Sequence, residues 1–115
     1  VLDVAGIKFE PLRVEHGIHP DGSPFFALGF RIDDSLVYLS DVSAVPEPVM
    51  QLLCERPIDT LVLDCLHPND DFVSHLGWPG AQRLIEKLRP RQTWLVGMAH
   101  QIEHNEFNAR LPDMV

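Results

Sequence analysis

The chain has 115 residues, of which 45% are hydrophobic and 23% are charged, as in a small globular domain. Its formal net charge of −8 argues against a broad surface for nucleic acid or for an anionic membrane. No apolar run approaches the roughly 20 residues that a membrane-spanning helix needs, and the first residues lack a signal-peptide pattern. Cys54 and Cys65 are too few for a disulfide framework, so we expect reduced thiols in a cytoplasmic protein.

The first part of the chain is rich in β-forming residues and predicts antiparallel strands. The predicted strands cover residues 7–14, 25–32 and 36–40. The first of them contains Pro11, which predicts either two short strands or one strand bent at the proline. Asp33 and Asp34 form a tight turn, so the second and third strands are expected to pair as a hairpin.

After residue 41 the pattern changes to alternating helices and strands. Apolar residues at helical spacing predict helices around residues 49–53, 80–88 and 102–111. Short apolar runs predict buried strands at residues 60–63 and 93–96. Residues 65–78 predict a long loop, and such loops in compact domains are usually functional or disordered. The order predicts an α/β fold in which a β-hairpin region is followed by three strand–helix units.

Polar residues follow the predicted strands at the point where each strand ends. Asp41 follows one strand, Asp64 ends the next, and His100 lies just beyond the last. If these strands are parallel, their ends meet at one edge of the sheet, where α/β folds place their sites. Asp41 could instead only cap the helix that follows, because Asp is a preferred N-cap residue.

The candidate chemistry is a set of six histidines together with these aspartates. Imidazole and carboxylate suit zinc, manganese or iron, and an aspartate flanked by histidines suits a two-metal hydrolytic centre. Only His100 and His104 have helical i, i+4 spacing, so the spacing leaves open that each histidine is a surface residue or a hydrogen-bonded core residue. No nucleophile elbow is present, and Cys65, beside a buried strand, is assigned a packing role.

Several segments resemble the second half of a metallo-β-lactamase-fold hydrolase. The segments are Leu12-Arg13-Val14-Glu15-His16-Gly17, Leu28-Gly29-Phe30-Arg31-Ile32, Val37-Tyr38-Leu39-Ser40-Asp41, Leu61-Val62-Leu63-Asp64-Cys65, Ser74-His75 and Met98-Ala99-His100-Gln101-Ile102-Glu103-His104. The most similar branch contains the phosphonate-pathway cyclic phosphodiesterases and, more distantly, the ribonuclease Z enzymes that trim tRNA ends. The resemblance covers nearly the whole chain and implies that residues 1–115 form the C-terminal half of an αββα sandwich, a single partial domain.

The resemblance also implies roles for individual residues. His16 falls where the family has the third histidine of its first metal, and Asp41 falls on the aspartate that bridges both metals. His75 falls on the histidine that contacts the phosphate or protonates the leaving group, a role that suits a side chain titrating near neutral pH. Asp64 resembles a strand-end aspartate that orients a ligand. The implied cofactor is a divalent metal, zinc or manganese, with iron as a further candidate.

The sequence departs from the family pattern at two places. The motif His-x-His-x-Asp-His belongs to the N-terminal half of the family, whereas this chain starts at Val1, with no initiator Met, beyond the expected place of that motif. Gly97 stands where the family has its usual last metal ligand. His100 matches the second histidine of the same motif and is expected to take over the ligation, with His104 as a weaker substitute.

The resemblance therefore implies a hydrolase of a small or cyclic phosphodiester, in which metal-bound hydroxide attacks phosphorus. Half a sandwich leaves an apolar sheet face, so we expect a missing N-terminal half or a homodimer to cover it. Long nucleic acid is disfavoured as a substrate by the acidic charge. Two alternatives stay open. The chain could be a non-catalytic, degenerate lactamase-like module that binds or dimerises through this face, or a plain α/β domain with incidental histidines.

Overall fold

The computed structural model describes residues 1–115 and contains one six-stranded sheet with three helices. The strands are β1 (Leu2–Val4), β2 (Ile7–Ile18), β3 (Pro24–Ile32), β4 (Leu36–Leu39), β5 (Thr60–Asp64) and β6 (Gln92–Val96). The helices are α1 (Glu47–Cys54), α2 (Trp78–Leu88) and α3 (His104–Asn108). The strands lie side by side in chain order, antiparallel from β1 to β4 and parallel from β4 to β6. None of the helices is long and apolar enough to cross a membrane.

The antiparallel part contains the predicted hairpin and one strand longer than predicted. β3 and β4 pair as expected, with Phe30 opposite Tyr38. β2 is a single strand of 12 residues that continues past Pro11. The proline is tolerated because β1 pairs with β2 only as far as Phe9, so that β2 has a free edge at Pro11.

The parallel part confirms the predicted strand–helix units. α1 connects β4 to β5, and α2 connects β5 to β6. Both helices begin with a proline in the first turn, as Pro48 in α1 and Pro79 in α2, where the missing N–H costs no helical hydrogen bond.

Two sequence predictions for the C-terminal part were wrong. α3 spans only His104–Asn108 instead of residues 102–111. The helix starts late because the Glu103 side chain caps it by accepting the Glu106 N–H, and Pro112 disfavours helical backbone at the preceding residue. β6 was expected to be a buried strand but lies at the edge of the sheet, and its Trp94 is 61% exposed.

The hydrophobic core lies between one face of the sheet and the helices. Alternate residues of three strands point into it and are fully or almost fully buried: Leu12, Val14, Val37, Leu39, Leu61 and Leu63. They pack against Met50 and Leu53 of α1 and against Ala81 and Leu84 of α2. Burial of each large apolar side chain contributes roughly 1.5–3 kcal/mol, so this layer holds the ends of the parallel strands at fixed positions.

The opposite face of the sheet carries apolar side chains that no part of the described chain covers. The strand register places Phe30, Tyr38, Val62 and Trp94 in one row from β3 to β6. None of the four is buried, and Leu28 on the same face is 57% exposed. This is the apolar face expected of half a sandwich, and we call these five residues the open face.

Candidate metal centre

The ends of β4 and β5 lie next to each other and present the two aspartates found in the sequence. Asp64 is the last residue of β5, and Asp41 stands two positions after the end of β4 with a φ of 50°. Aspartate tolerates this left-handed conformation better than most residues. The N-cap of α1 is Pro46, and no side chain caps that helix. The alternative in which Asp41 only caps α1 is therefore excluded.

Three side chains distant in the sequence come together at this edge: His16, Asp41 and His75. The atoms that they could offer to a metal ion all lie within 4.8 Å of one another. The two imidazole rings are 4.8 Å apart between centroids and nearly perpendicular, at 80°. His16 belongs to β2, whereas His75 lies in the loop between β5 and α2. We call these three residues the His/Asp group.

The hydrogen bonds of the two histidines determine which ring nitrogen is free. Nδ1 of His16 lies 2.6 Å from the backbone oxygen of Ser74, and Nδ1 of His75 lies 2.7 Å from Oδ2 of Asp64. A carbonyl or carboxylate oxygen can only accept, so Nδ1 donates in both rings. Each neutral ring then has its lone pair on Nε2. Metal-binding histidines are typically oriented in this way by a carbonyl or a carboxylate behind the ring.

Asp64 lies behind His75 and is almost completely buried. Its side chain accepts from His75 and, at 3.2 Å, from the backbone N–H of Val42. Burial raises the pKa of the Asp64 carboxyl, while the hydrogen bond and the charge of His75 act in the opposite direction. The resemblance assigned Asp64 to orienting a ligand, and the contact with His75 supports that prediction.

Gly97 has a structural role that the sequence did not suggest. A Cβ atom at this position would lie 2.7 Å from Oδ1 of Asp64, and its φ of 72° favours glycine. A side chain at position 97 would therefore force either the Asp64 carboxylate or the backbone at position 97 to move. The departure from the family pattern at Gly97 thus makes room for the carboxylate that holds His75.

The structure does not bring every predicted site residue into the His/Asp group. His100 lies in an exposed turn after β6, and His104 is the exposed first residue of α3. Neither belongs to the group, so metal ligation by His100 or His104 stays a prediction. His75 lies beside the two predicted ligands His16 and Asp41, and its predicted contact with the phosphate or the leaving group stays a prediction.

Sequence reasoning missed Ser43, which connects the two backbone segments that carry His16 and Asp41. The Ser43 hydroxyl accepts from the N–H of Gly17 and donates to the carbonyl oxygen of Glu15. The backbone of Glu15 is also paired with Ala44, through an N–H to oxygen distance of 2.9 Å. Contacts between positions so far apart along the chain leave no local pattern in the sequence.

Known structures resemble this chain, although no protein-family model and no curated protein sequence matches it. A structure described as a new diphosphatase from the PhnP family is 30% identical to it, with a TM-score of 0.85 over 98% of the chain. The metallo-β-lactamase-fold protein YhfI from Bacillus subtilis is 18% identical, with a TM-score of 0.69 over 94% of the chain. The chain spans only 41% of the first protein and 43% of the second.

The mixed sheet, its helices and the His/Asp group at its edge define an α/β protein with a candidate metal centre. Together with the structural relatives, they show that the chain is a partial metallo-β-lactamase-fold protein. The resemblance and the fold class predicted from its motifs are thereby confirmed.

Proposed function

We propose that the chain contributes one side of a metal-dependent hydrolytic centre that cleaves a phosphorus–oxygen bond in a small phosphodiester or diphosphate. The observation that carries this proposal is the His/Asp group, in which both histidines have Nδ1 engaged and Nε2 free. A diphosphatase among the structural relatives supports phosphorus–oxygen chemistry. The net charge of −8 favours a small substrate over long nucleic acid.

The donors of the His/Asp group fit a divalent cation such as zinc or manganese. Imidazole nitrogen and carboxylate oxygen are both common ligands of these ions. His16 and His75 would bind through Nε2, and Asp41 through a carboxylate oxygen. A bound cation would supply Lewis acidity toward a phosphoryl oxygen and would lower the pKa of a water molecule.

The remaining residues of the site would prepare these donors. Asp64 keeps the proton of His75 on Nδ1, and the Ser74 carbonyl does the same for His16. Gly97 leaves the space that the Asp64 carboxylate occupies. If His75 protonates a leaving group instead of binding the cation, the same Asp64 contact would stabilise the charged imidazole.

The open face supports the proposal that the chain is completed by further structure. Apolar patches of this kind usually mark surfaces that another element covers. The chain spans 41% and 43% of its structural relatives, so we propose that the rest of the sandwich packs on the open face. A homodimer is the second candidate for covering it.

The metal centre can be tested by titrating the purified chain with Zn²⁺ or Mn²⁺ in a calorimeter and measuring bound metal by elemental analysis. We expect near-stoichiometric binding that is lost in Asp41→Ala and in His16→Ala. Asp33→Ala is the matched control, because Asp33 is also exposed and has a similar φ of 48° but lies in the β3–β4 turn. Absence of binding, or equal loss in the control, would contradict the proposal.

The variant His75→Ala separates the two roles of that residue. If His75 is a ligand, its loss lowers metal content as much as the loss of His16. If it acts on the leaving group, the variant keeps its metal, and hydrolysis of a phosphodiester by the complete enzyme falls much further than metal content.

A further inference from the structure

In the loop between β5 and α2, the side chain of Asp71 hydrogen-bonds to the backbone six residues further on and so closes a small ring of residues. Oδ1 of Asp71 accepts hydrogen bonds from the backbone N–H groups of Gly77, at 2.8 Å, and Gly80, at 2.9 Å. Oδ2 forms an ion pair with Arg83 at 2.7 Å. No side chain at the N-cap position caps α2, so Asp71 performs this function from six residues before Gly77. We call residues 71–77 the capping ring.

The capping ring carries both contacts that orient the histidines of the His/Asp group. Its Ser74 supplies the carbonyl oxygen that accepts from Nδ1 of His16. Its His75 donates from Nδ1 to Asp64. Inside the ring, the N–H of Phe72 donates to the carbonyl oxygen of His75 at 2.9 Å, which fixes the backbone between the two contacts.

Two glycines show that this loop packs closely on itself and against the first turn of α2. A Cβ atom at Gly80 would lie 2.6 Å from Oδ1 of Asp71. A Cβ atom at Gly77, the last residue of the ring, would collide with the backbone oxygen of Asp70, the residue just before the ring. Gly80 is inside α2, where glycine is a poor helix former. Its presence there is explained by the space that the Asp71 carboxylate needs.

We propose that Asp71 is a positioning residue of the candidate metal centre. By closing the capping ring on the start of α2, it holds the Ser74 carbonyl and His75 so that both imidazoles keep Nδ1 protonated and Nε2 free. Asp71 does not itself belong to the His/Asp group. The inference rests on the proposed function, because it treats His16 and His75 as residues that bind a metal ion through Nε2.

The test measures the two Nδ1–H protons of the chain by NMR. These protons are hydrogen-bonded, so they exchange slowly with water and give observable resonances. The variants His16→Ala and His75→Ala assign each resonance to its residue. In Asp71→Ala we expect both resonances to be lost to exchange. Asp71→Asn should retain both, since its side-chain oxygen can still accept from Gly77 and Gly80. Retention of both resonances in Asp71→Ala would overturn the proposal.

A matched control removes the same type of side chain one position earlier. Asp70 is exposed and its side chain makes no hydrogen bond, so Asp70→Ala should keep both resonances. Leu53→Ala controls for loss of stability, because it removes a core side chain of α1 that is remote in sequence from the ring. If either control loses the resonances while folded, Asp71 has no special role and the proposal fails.

Gly80→Ala tests the same proposal independently. Its result decides whether Asp71 positions the histidines if Asp71→Ala does not fold. The added methyl group favours the helix but occupies the space of Oδ1 of Asp71. Loss of both resonances in folded Gly80→Ala supports the proposal, and their retention overturns it. The measurement needs neither metal nor substrate. A chain that binds no metal would contradict the proposed function and leave this result unaffected.

Discussion

A neutral imidazole donates its lone pair to a cation only from the nitrogen that carries no proton. In this protein the proton is held on Nδ1 by two different acceptors, the Ser74 carbonyl for His16 and the Asp64 carboxylate for His75. A hydrogen bond to a charged acceptor is the stronger of the two types. His75 is therefore the more strongly polarised ring, which suits either a metal ligand or a proton donor.

Cys65 follows Asp64 but is not equipped to act as a nucleophile. Its thiol is fully buried, and burial, reinforced by the charges of Asp64 and Asp71, raises its pKa to about 12. Because the thiolate is the reactive form, a raised pKa keeps the group unreactive at neutral and moderately alkaline pH.

The prediction is that iodoacetamide at about pH 8, close to the ordinary pKa of a thiol, modifies the exposed Cys54 and leaves Cys65 intact. Mass spectrometry of Cys54→Ser should show no adduct on the folded chain and one adduct after denaturation. Alkylation of folded Cys54→Ser at the rate of an exposed thiol would show that Cys65 is accessible.

Individual site residues could be predicted where the sequence pattern was local. Asp41 and Asp64 each follow a short apolar run, which is why the end of the strand and its carboxylate were both found. The capping by Asp71 and the roles of Ser43 and Gly97 could not be predicted. Each depends on a backbone or side chain that only the folded chain brings close.

At the level of elements, the end of α1 is held by a buried arginine. The Arg31 side chain on β3 has no exposed surface and donates to the carbonyl oxygens of Leu53, at 3.1 Å, and Asp34, at 2.9 Å. It also donates to Pro57 at 3.3 Å. Burial, and then the nearby Arg56, lower the pKa of Arg31. Carbonyls at a helix end lack partners within the helix, so Arg31 gives the buried Leu53 carbonyl a donor that α1 itself does not supply.

Arg31→Met should lower the free energy of unfolding by about 3 kcal/mol, because it leaves the buried carbonyl oxygen of Leu53 and the partly buried ones of Asp34 and Pro57 without this donor. Urea denaturation followed by circular dichroism measures the change. Arg91→Met is the control, since Arg91 is exposed, and it should stay within about 0.5 kcal/mol of the parent chain. Equal stability of the two variants would show that Arg31 does not fasten α1 to the sheet.

The elements themselves were predicted well where hydrophobic periodicity was strong. The hairpin, α1, α2 and the three parallel strands follow directly from runs and spacings in the sequence. The edge position of β6 did not follow, because it depends on contacts across the fold. The length of α3 did not follow either, although the Glu103 cap that sets its start is a local contact. Arginine is rarely buried, so the position of Arg31 in the core had no sequence signal either.

At the scale of the whole molecule, the two faces of the sheet differ in what covers them. The helices bury one face, while Leu28 and Trp94 of the open face remain 57% and 61% exposed. Folded proteins seldom leave a large contiguous apolar surface in water unless another surface covers it. The chain by itself is therefore expected to self-associate through the open face.

Trp94→Glu and Leu28→Glu should each suppress this association, because a buried, unpaired carboxylate in the contact is strongly unfavourable. Sedimentation velocity over a range of concentrations measures the effect, and the free energy of unfolding should change by no more than about 0.5 kcal/mol. Met114→Glu provides the control, since Met114 is 47% exposed but lies outside the open face. A parent chain that stays monomeric at all concentrations would contradict the prediction. So would a control that suppresses association equally, because the contact would then lie elsewhere and the open face would need no cover.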